Sequence, residues 1–282
     1  MPFDILHKRQ LSDAVFEMTV EAPAVARKVR PGQFLMLRVD EVHGERIPLT
    51  FSDWSAEEGW VRFIFMVVGK TTRELSGRCV GQSVADVVGP LGKPTELDGL
   101  GRVAIVGGGV GAAVAYPVAR GMAQAGNDVT VILGARNADL LILADEFEAL
   151  PLKELIIMTD DGSQGRKGLV TEPLKELCAA EAVDHAMAIG PAIMMRFCAA
   201  TTREFGVPTT VSLNPIMVDG TGMCGACRVS VGGETKFGCV DGPDFDGHLV
   251  DFEELMSRQR TYVDDEREAD AAYRQECSCQ PT

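Results

Sequence analysis

Four residues in the C-terminal third constrain this chain more than any other feature: Asp219-x4-Cys224-x2-Cys227-x11-Cys239. A plant-type [2Fe–2S] site reads C-x4-C-x2-C followed by a distant fourth Cys. The last three thiols fall where that pattern wants them, and Asp219 holds the first position. The spacing predicts an iron–sulfur centre held by Cys224, Cys227 and Cys239, with the Asp219 carboxylate as the fourth ligand. Gly220, Gly222 and Gly225 suit it, because the backbone must wrap close to inorganic sulfide and donate N–H groups to it. Two other readings stay open. Three Cys with Asp219 or His248 could bind zinc, although the paired C-x2-C or H-x3–5-H spacing of zinc sites is absent. They could also be ordinary buried thiols. Cys277 and Cys279, in the tail ECSCQPT, are alternative thiol ligands or plain tail cysteines.

Length and charge bound the rest. At 282 residues the chain can hold two or three small domains. A net charge of −14 opposes nucleic-acid binding, which needs a basic face, and an anionic membrane surface. The N-terminus MPFDILHKRQLSDAVF has no long apolar core of a signal peptide, and no apolar run is long enough to span a bilayer. Eight Cys without a secretion signal point to metal or free thiols in a reducing cytoplasm. Cys79, Cys178 and Cys198 stand singly in apolar contexts and read as core thiols.

Three regions follow from texture. Residues 1–98 carry short alternating runs (AVFEMTVEA, QFLMLRVD, GWVRFIFMVVG) broken by Pro, Gly and Asp, which predict a small antiparallel β-barrel. Residues 99–210 switch to strand, Gly turn, helix and strand in RVAIVGGGVGAAVAYPVARGMAQAGNDVTVILGARN. With VDHAMAIGP and VPTTVSL this predicts an α/β domain on a parallel sheet of about five strands. Residues 211–282 form a Gly-rich, Cys-bearing lobe. It ends in a helix at DFEELMSRQRTYVDDE, with Asp251 as N-cap and Glu254 three residues on.

Gly107-x-Gly109-x-x-Ala112 follows the strand VAIVG and opens a helix, as a dinucleotide fingerprint does. Glycines let the backbone approach a pyrophosphate, and the helix N-terminus favours the anion. The usual acidic residue after the second strand is replaced by LGARN, so Arg136 could meet a 2′-phosphate and leaves NADP beside NAD. A nicotinamide moves two electrons as hydride, whereas a [2Fe–2S] cluster passes one. A chain with both needs a converter, and a flavin is one.

RIPLTFSD at 46–53 resembles the flavin segment of the ferredoxin–NADP reductase superfamily. That resemblance implies an FAD-binding barrel, with Arg46 on the flavin pyrophosphate and Pro48, Leu49 and Thr50 along the isoalloxazine ring. IFMVVGKTT resembles the second flavin segment, which implicates Phe65 and Val67 at the ring and Thr71 and Thr72 at phosphate. VGGGVGAAVAYP, MTDDGSQGRKGLVTEPL and IGPAIMM are similar to dihydroorotate dehydrogenase electron-transfer subunits. By that likeness Gly109, Val110 and Gly111 face the nucleotide, Asp160, Asp161 and Gly162 flank it, and Gly190, Pro191 and Met194 lie near the nicotinamide. Val114 stands where relatives carry Pro. The stretch 214–266 is most similar to the small subunits of NADH-dependent reduced ferredoxin:NADP oxidoreductases, also known as sulfide dehydrogenase subunits. An Asp at the first ligand position and a helical extension mark that branch.

The resemblance implies an electron-transfer subunit carrying FAD, a [2Fe–2S] cluster and NAD(H). It implies a larger partner with a second flavin and [4Fe–4S] clusters, the pair performing flavin-based electron bifurcation. The acidic charge opposes direct docking of an acidic ferredoxin, which fits ferredoxin meeting the partner instead. Hydride transfer needs alignment rather than acid–base help, so none of the four His is nominated as catalytic. The alternatives are an electron-transfer subunit of a dihydroorotate- or sulfide-type dehydrogenase, and a zinc-bearing regulatory subunit.

Overall fold

The structure is a computed structural model that describes residues 3–278, with side chains described to Gln275. Its first part comprises β1 (Phe3–Ser12), β2 (Val15–Glu21), α1 (Pro23–Ala26), β3 (Phe34–Arg38), β4 (Arg46–Ser55), β5 (Trp60–Met66), α2 (Lys70–Gly77), β6 (Ser83–Val84) and β7 (Asp86–Leu91). The strands pair in the order β6-β1-β2-β5-β4-β3-β7, all antiparallel. The two edges of this sheet, β6 and β7, are consecutive in the chain and separated by Ala85 alone. One bent segment therefore pairs with β1 on one side and β3 on the other, which closes the barrel and removes free edges. Strand alternation divides the side chains. Leu35, Leu37, Phe51, Phe63 and Phe65 point into the barrel core, joined by Ile47 and Leu49.

The second part is α/β: β8 (Arg102–Gly108), α3 (Gly111–Gln124), β9 (Asp128–Ala135), α4 (Ala144–Glu148), β10 (Glu154–Thr159), β11 (Arg166–Lys167), α5 (Thr171–Ala179), β12 (His185–Ile189), α6 (Ala192–Arg203) and β13 (Thr209–Ser212). The sheet order is β11-β10-β9-β8-β12-β13, all parallel. The direction of winding reverses between β8 and β12, the place where open α/β sheets bind ligands at the strands' carboxyl ends. Ala112, Ala113, Ala115 and Ala119 are buried on α3, and their small size lets the helix lie close on β8 and, on its other flank, on β4 of the barrel. Arg120 of α3 binds Asp53 at 2.8 Å and covers the Trp54 ring.

The last part comprises the hairpin β14 (Arg228–Val231) and β15 (Glu234–Phe237), then β16 (Asp244–Asp246), α7 (Phe252–Gln259) and α8 (Val263–Ser278). β16 adds itself antiparallel to β13, extending the nucleotide-domain sheet by one strand. The Asp251 side chain accepts the Glu254 N–H at 2.9 Å, capping α7 as expected. The single helix read from the sequence is two. Phe252 and Leu255 hold α7 in the core of the nucleotide domain. The chain then turns at 260–262, and α8 runs to α2, where Asp270 grips Arg73 at 2.7 and 3.1 Å. Cys178 and Cys198 are core thiols as expected, but Cys79 is exposed. It follows the end of α2 in a turn where its N–H bonds to the Gln82 side chain. Cys279 lies outside the described residues. Among the described residues no helix is long and apolar enough to cross a membrane.

Candidate functional site

The winding reversal assembles the nucleotide residues. Gly109 has φ +55° and open space where a Cβ would project, so the turn presents bare main chain. Its N–H is fixed by the Gly134 carbonyl at 2.9 Å. A Cβ on Gly111 would meet the Ile189 carbonyl oxygen at 2.3 Å, so only glycine lets α3 begin this close to the end of β12. Val110 is the N-cap of α3, and the helix N-terminus offers its N–H groups to an anion. Gly190 and Pro191 lie across the cleft, where Met194 Sδ comes within 2.3 Å of a Cβ position on Gly108. Gly109, Val110, Gly111, Gly190, Pro191 and Met194 are thus brought together. Asp160, Asp161 and Gly162 stand two strands away, clasped to the end of β9 through the Ala135 and Arg136 carbonyls. The Ser163 hydroxyl and N–H hold the exposed Asp161 carboxyl below its usual range. Val114, on α3, is half-buried against the core that this helix shares with the sheet.

The barrel offers a shelf beside this cleft. Arg46, Pro48 and Thr50 alternate onto the outer face of β4, whereas Leu49 points into the core. Phe65 is buried against Phe16, ring centroids 6.0 Å apart, and faces a ligand through its main chain only. Val67 also packs against the barrel core. Thr71 donates to Glu45 at 3.2 Å, which brings the N-terminus of α2 to the start of β4 and so to Arg46. The Thr72 hydroxyl is engaged already, accepting from Val68 and Gly69 N–H and donating to the Gly69 carbonyl. What this turn offers a diphosphate is its main-chain N–H groups, with Arg46 nearby. Arg46 itself rests on Asp86 at 3.4 Å.

The cysteine lobe separates its predicted ligands into two pairs. Cys227 and Cys239 are buried with their sulfurs 3.1 Å apart. Burial, with Cys227 beside it, pushes the Cys239 thiol up to about 12. Cys224 is exposed, and the Ala226 N–H, 3.5 Å from its sulfur, holds that thiol below its ordinary value. The Asp219 carboxylate accepts from the Thr221 hydroxyl and, at 2.9 Å, the Thr221 N–H, and these lower its pKa. Among the described residues no three His, Cys, Asp or Glu side chains converge as around a single ion. His248 instead meets Thr202 at 3.1 Å, so the zinc reading with His248 as a ligand has no geometric support. Two buried thiols on one side and Asp219 with Cys224 on the other suit a two-iron centre better than one ion.

The sequence reading missed the floor beneath this lobe. Phe34, Met36 and Met217 are buried with Cys227 and Cys239 in one apolar cluster, flanked by Leu91 and Phe237. The period-two alternation of QFLMLRVD was the available signal. Two concavities, about 540 and 230 Å³, lie on the opposite, amino-terminal side of the sheet around His185 and Asp246, and of the residues nominated above they are lined by His248 alone, the alternative zinc ligand.

Comparison with known proteins gives the family. Residues 105–200 match the oxidoreductase NAD-binding domain family, and residues 214–251 match the iron–sulfur cluster binding domain of dihydroorotate dehydrogenase B. A dihydroorotate dehydrogenase B (NAD+) electron transfer subunit homologue from Thermotoga maritima is 50% identical over 264 residues, 94% of this chain and 93% of that protein. The chain belongs to the family of dihydroorotate dehydrogenase B electron-transfer subunits and their homologues. It is an oxidoreductase electron-transfer subunit. The family member from Desulforamulus reducens is 34% identical, over 84% of this chain and 93% of its own. A solved structure of an NADH-dependent reduced ferredoxin–NADP oxidoreductase, described for flavin-based electron bifurcation, superposes with TM-score 0.90 at 49% identity. It covers 95% of this chain and 96% of that one.

Proposed function

We propose that this chain is the small subunit of an electron-bifurcating, NADH-dependent ferredoxin:NADP transhydrogenase. It carries FAD, a [2Fe–2S] cluster and NAD(H), and passes electrons to a larger flavin- and [4Fe–4S]-bearing subunit through which ferredoxin is met. Identity does not separate the branches, since the bifurcating oxidoreductase matches at 49% over 95% of the chain and the dihydroorotate dehydrogenase B subunit homologue from Thermotoga maritima at 50% over 94%. The observation that carries the choice is Asp219 at the first ligand position, with the helical extension α7–α8 after the cluster lobe.

FAD, when bound, takes up two electrons as hydride from NADH and gives them up singly to the cluster. This chain's residues hold the parts in register. In this reading Gly109, Val110 and Gly111 bind the dinucleotide pyrophosphate through main-chain N–H groups. Gly190, Pro191 and Met194 shape the nicotinamide end, and Asp160, Asp161 and Gly162 flank the adenosine end. Arg46 and the α2 turn at Thr71 and Thr72 hold the flavin phosphates. Pro48 and Thr50 support the ring with their side chains, and Leu49, Phe65 and Val67 with their main chain. Asp219, Cys224, Cys227 and Cys239 bind the iron. Residues 1–98, 99–210 and 211–282 serve as flavin, nucleotide and cluster units. The cluster loop leaves Met223 86% exposed beside Val218, Val240 and Cys224, an apolar exit face suited to the larger subunit.

Co-purification with that larger subunit tests the reading. The expected activity is NADP+ reduction by NADH and reduced ferredoxin together, and in reverse NADPH oxidation coupled to simultaneous reduction of ferredoxin and NAD+. Electron transfer from dihydroorotate to NAD+, with no bifurcation, would place the chain in the other branch.

A further inference from the structure

Strand β3 lies between the two halves of this relay, and its outward face is not solvent-exposed. Leu35 and Leu37 fill the barrel, whereas Phe34 and Met36 point out and are still 3% and 1% exposed, because the cysteine lobe covers them. Met36 pairs with Pro48 in the β3–β4 ladder, and Phe34 with Thr50. Cross-strand partners share a face with their Cβ atoms about 5 Å apart. Met36 therefore stands beside the outward residues of the flavin shelf. On its other flank it meets the cluster loop. A Cβ on Gly220, the residue after Asp219, would lie 2.6 Å from Met36 Cγ and 3.1 Å from its Sδ and from Leu91 Cδ1. Gly220 also has φ +82°, so the loop's turn is built to rest on this thioether.

We propose that Met36 is a positioning residue that seats the cluster loop against the flavin-bearing strand and sets the rate of single-electron transfer between flavin and cluster. The inference rests on the flavin and cluster sites proposed above. With both groups bound, one electron supplied originally by NADH would pass from the reduced flavin to the cluster, where one ferric ion would become ferrous; Met36 itself would undergo no bond change and would serve only to hold the loop in place. Tunnelling between redox centres falls steeply across a void and less steeply through packed atoms. An unbranched, polarizable thioether can fill an irregular gap between strand and loop. Shortening it leaves a cavity, and close-packed surroundings relax into a cavity only in part.

The test uses the holoprotein under anaerobic stopped flow with NADH, reading flavin bleaching, and freeze-quench EPR, reading cluster reduction. Met36→Ala is expected to leave flavin bleaching unchanged and to slow cluster reduction on the order of tenfold, with altered g values. Met36→Leu, close in volume, is expected to stay near the native rate, and Met36→Val to fall between. Leu35→Ala, on the inward face of the same strand, is expected to lower Tm without slowing cluster reduction. Native rate and EPR signal in both Met36→Ala and Met36→Val would overturn the proposal, as would equal slowing by Leu35→Ala. Should Met36→Ala fail to assemble, Met36→Val decides alone. A native protein with no flavin bleaching or no cluster signal would instead contradict the cofactor reading itself.

Discussion

Glycine and cysteine positions carry most of the site, because their chemistry cannot be supplied by other residues. Gly111→Ala would drive a methyl group into the Ile189 carbonyl, 2.3 Å from its Cβ position. The expected result is NAD(H) affinity weakened on the order of tenfold or more, about 1.4 kcal/mol, with flavin and cluster spectra unchanged. Isothermal titration with NADH checks it. Cys227→Ser and Cys239→Ser are expected to abolish the cluster's visible absorption, since each removes half of the buried thiol pair. Asp219→Cys is expected to shift the EPR spectrum, and identical spectra for Asp219→Cys, Asp219→Ala and native would show that the carboxylate binds no iron. These residues were legible in the sequence because covalent and backbone requirements leave a fixed spacing. The direction of each side chain was less so. Leu49 and Phe65 stood within the flavin segments, but β alternation turns both inward. Cys79 reads as apolar by its neighbours, yet a turn leaves it exposed.

Among the elements, β4 does the most. Its outward residues form the shelf proposed for the flavin, its inward ones fill the barrel, and its end meets α3 through Asp53 and Trp54. The strands, the parallel sheet and the helix start at Asp251 follow from local periodicity and capping, which is why the sequence discloses them. The pairing that closes the barrel at Ala85 and the docking of β16 on β13 depend on contacts far apart in the chain, which periodicity does not encode. The break between α7 and α8 has the same origin, since their anchors lie on different parts of the molecule. One anchor is testable. Asp270→Ala removes a bidentate partner from Arg73 and is expected to cost roughly 1–2 kcal/mol. A urea titration checks it, and the double variant with Arg73→Leu should lose little more than either alone.

At the scale of the whole molecule the three parts meet at Asp244. Its carboxylate accepts the Thr95 hydroxyl at 2.6 Å from the segment that leaves the barrel, while its other oxygen is buried without a hydrogen-bond partner. Burial pushes this carboxyl up to about 6, against the pull of hydrogen bonds from Thr95 and Ser212. The folded protein therefore holds the proton more tightly than the unfolded chain. Asp244 contributes most to stability below the unfolded carboxylate range, and this is lost as pH rises through about 6. Asp244→Asn is expected to raise Tm relative to native at pH 8 and to give little or no gain at pH 4, as thermal scans at the two pH values would show.

The relay itself is the central claim, and an anaerobic visible and EPR spectrum of the purified chain, before and after NADH, tests it most directly. Flavin bands bleached by NADH together with a low-temperature [2Fe–2S] signal are the predicted result. A colourless protein containing zinc in place of iron, with no bound flavin, would contradict it.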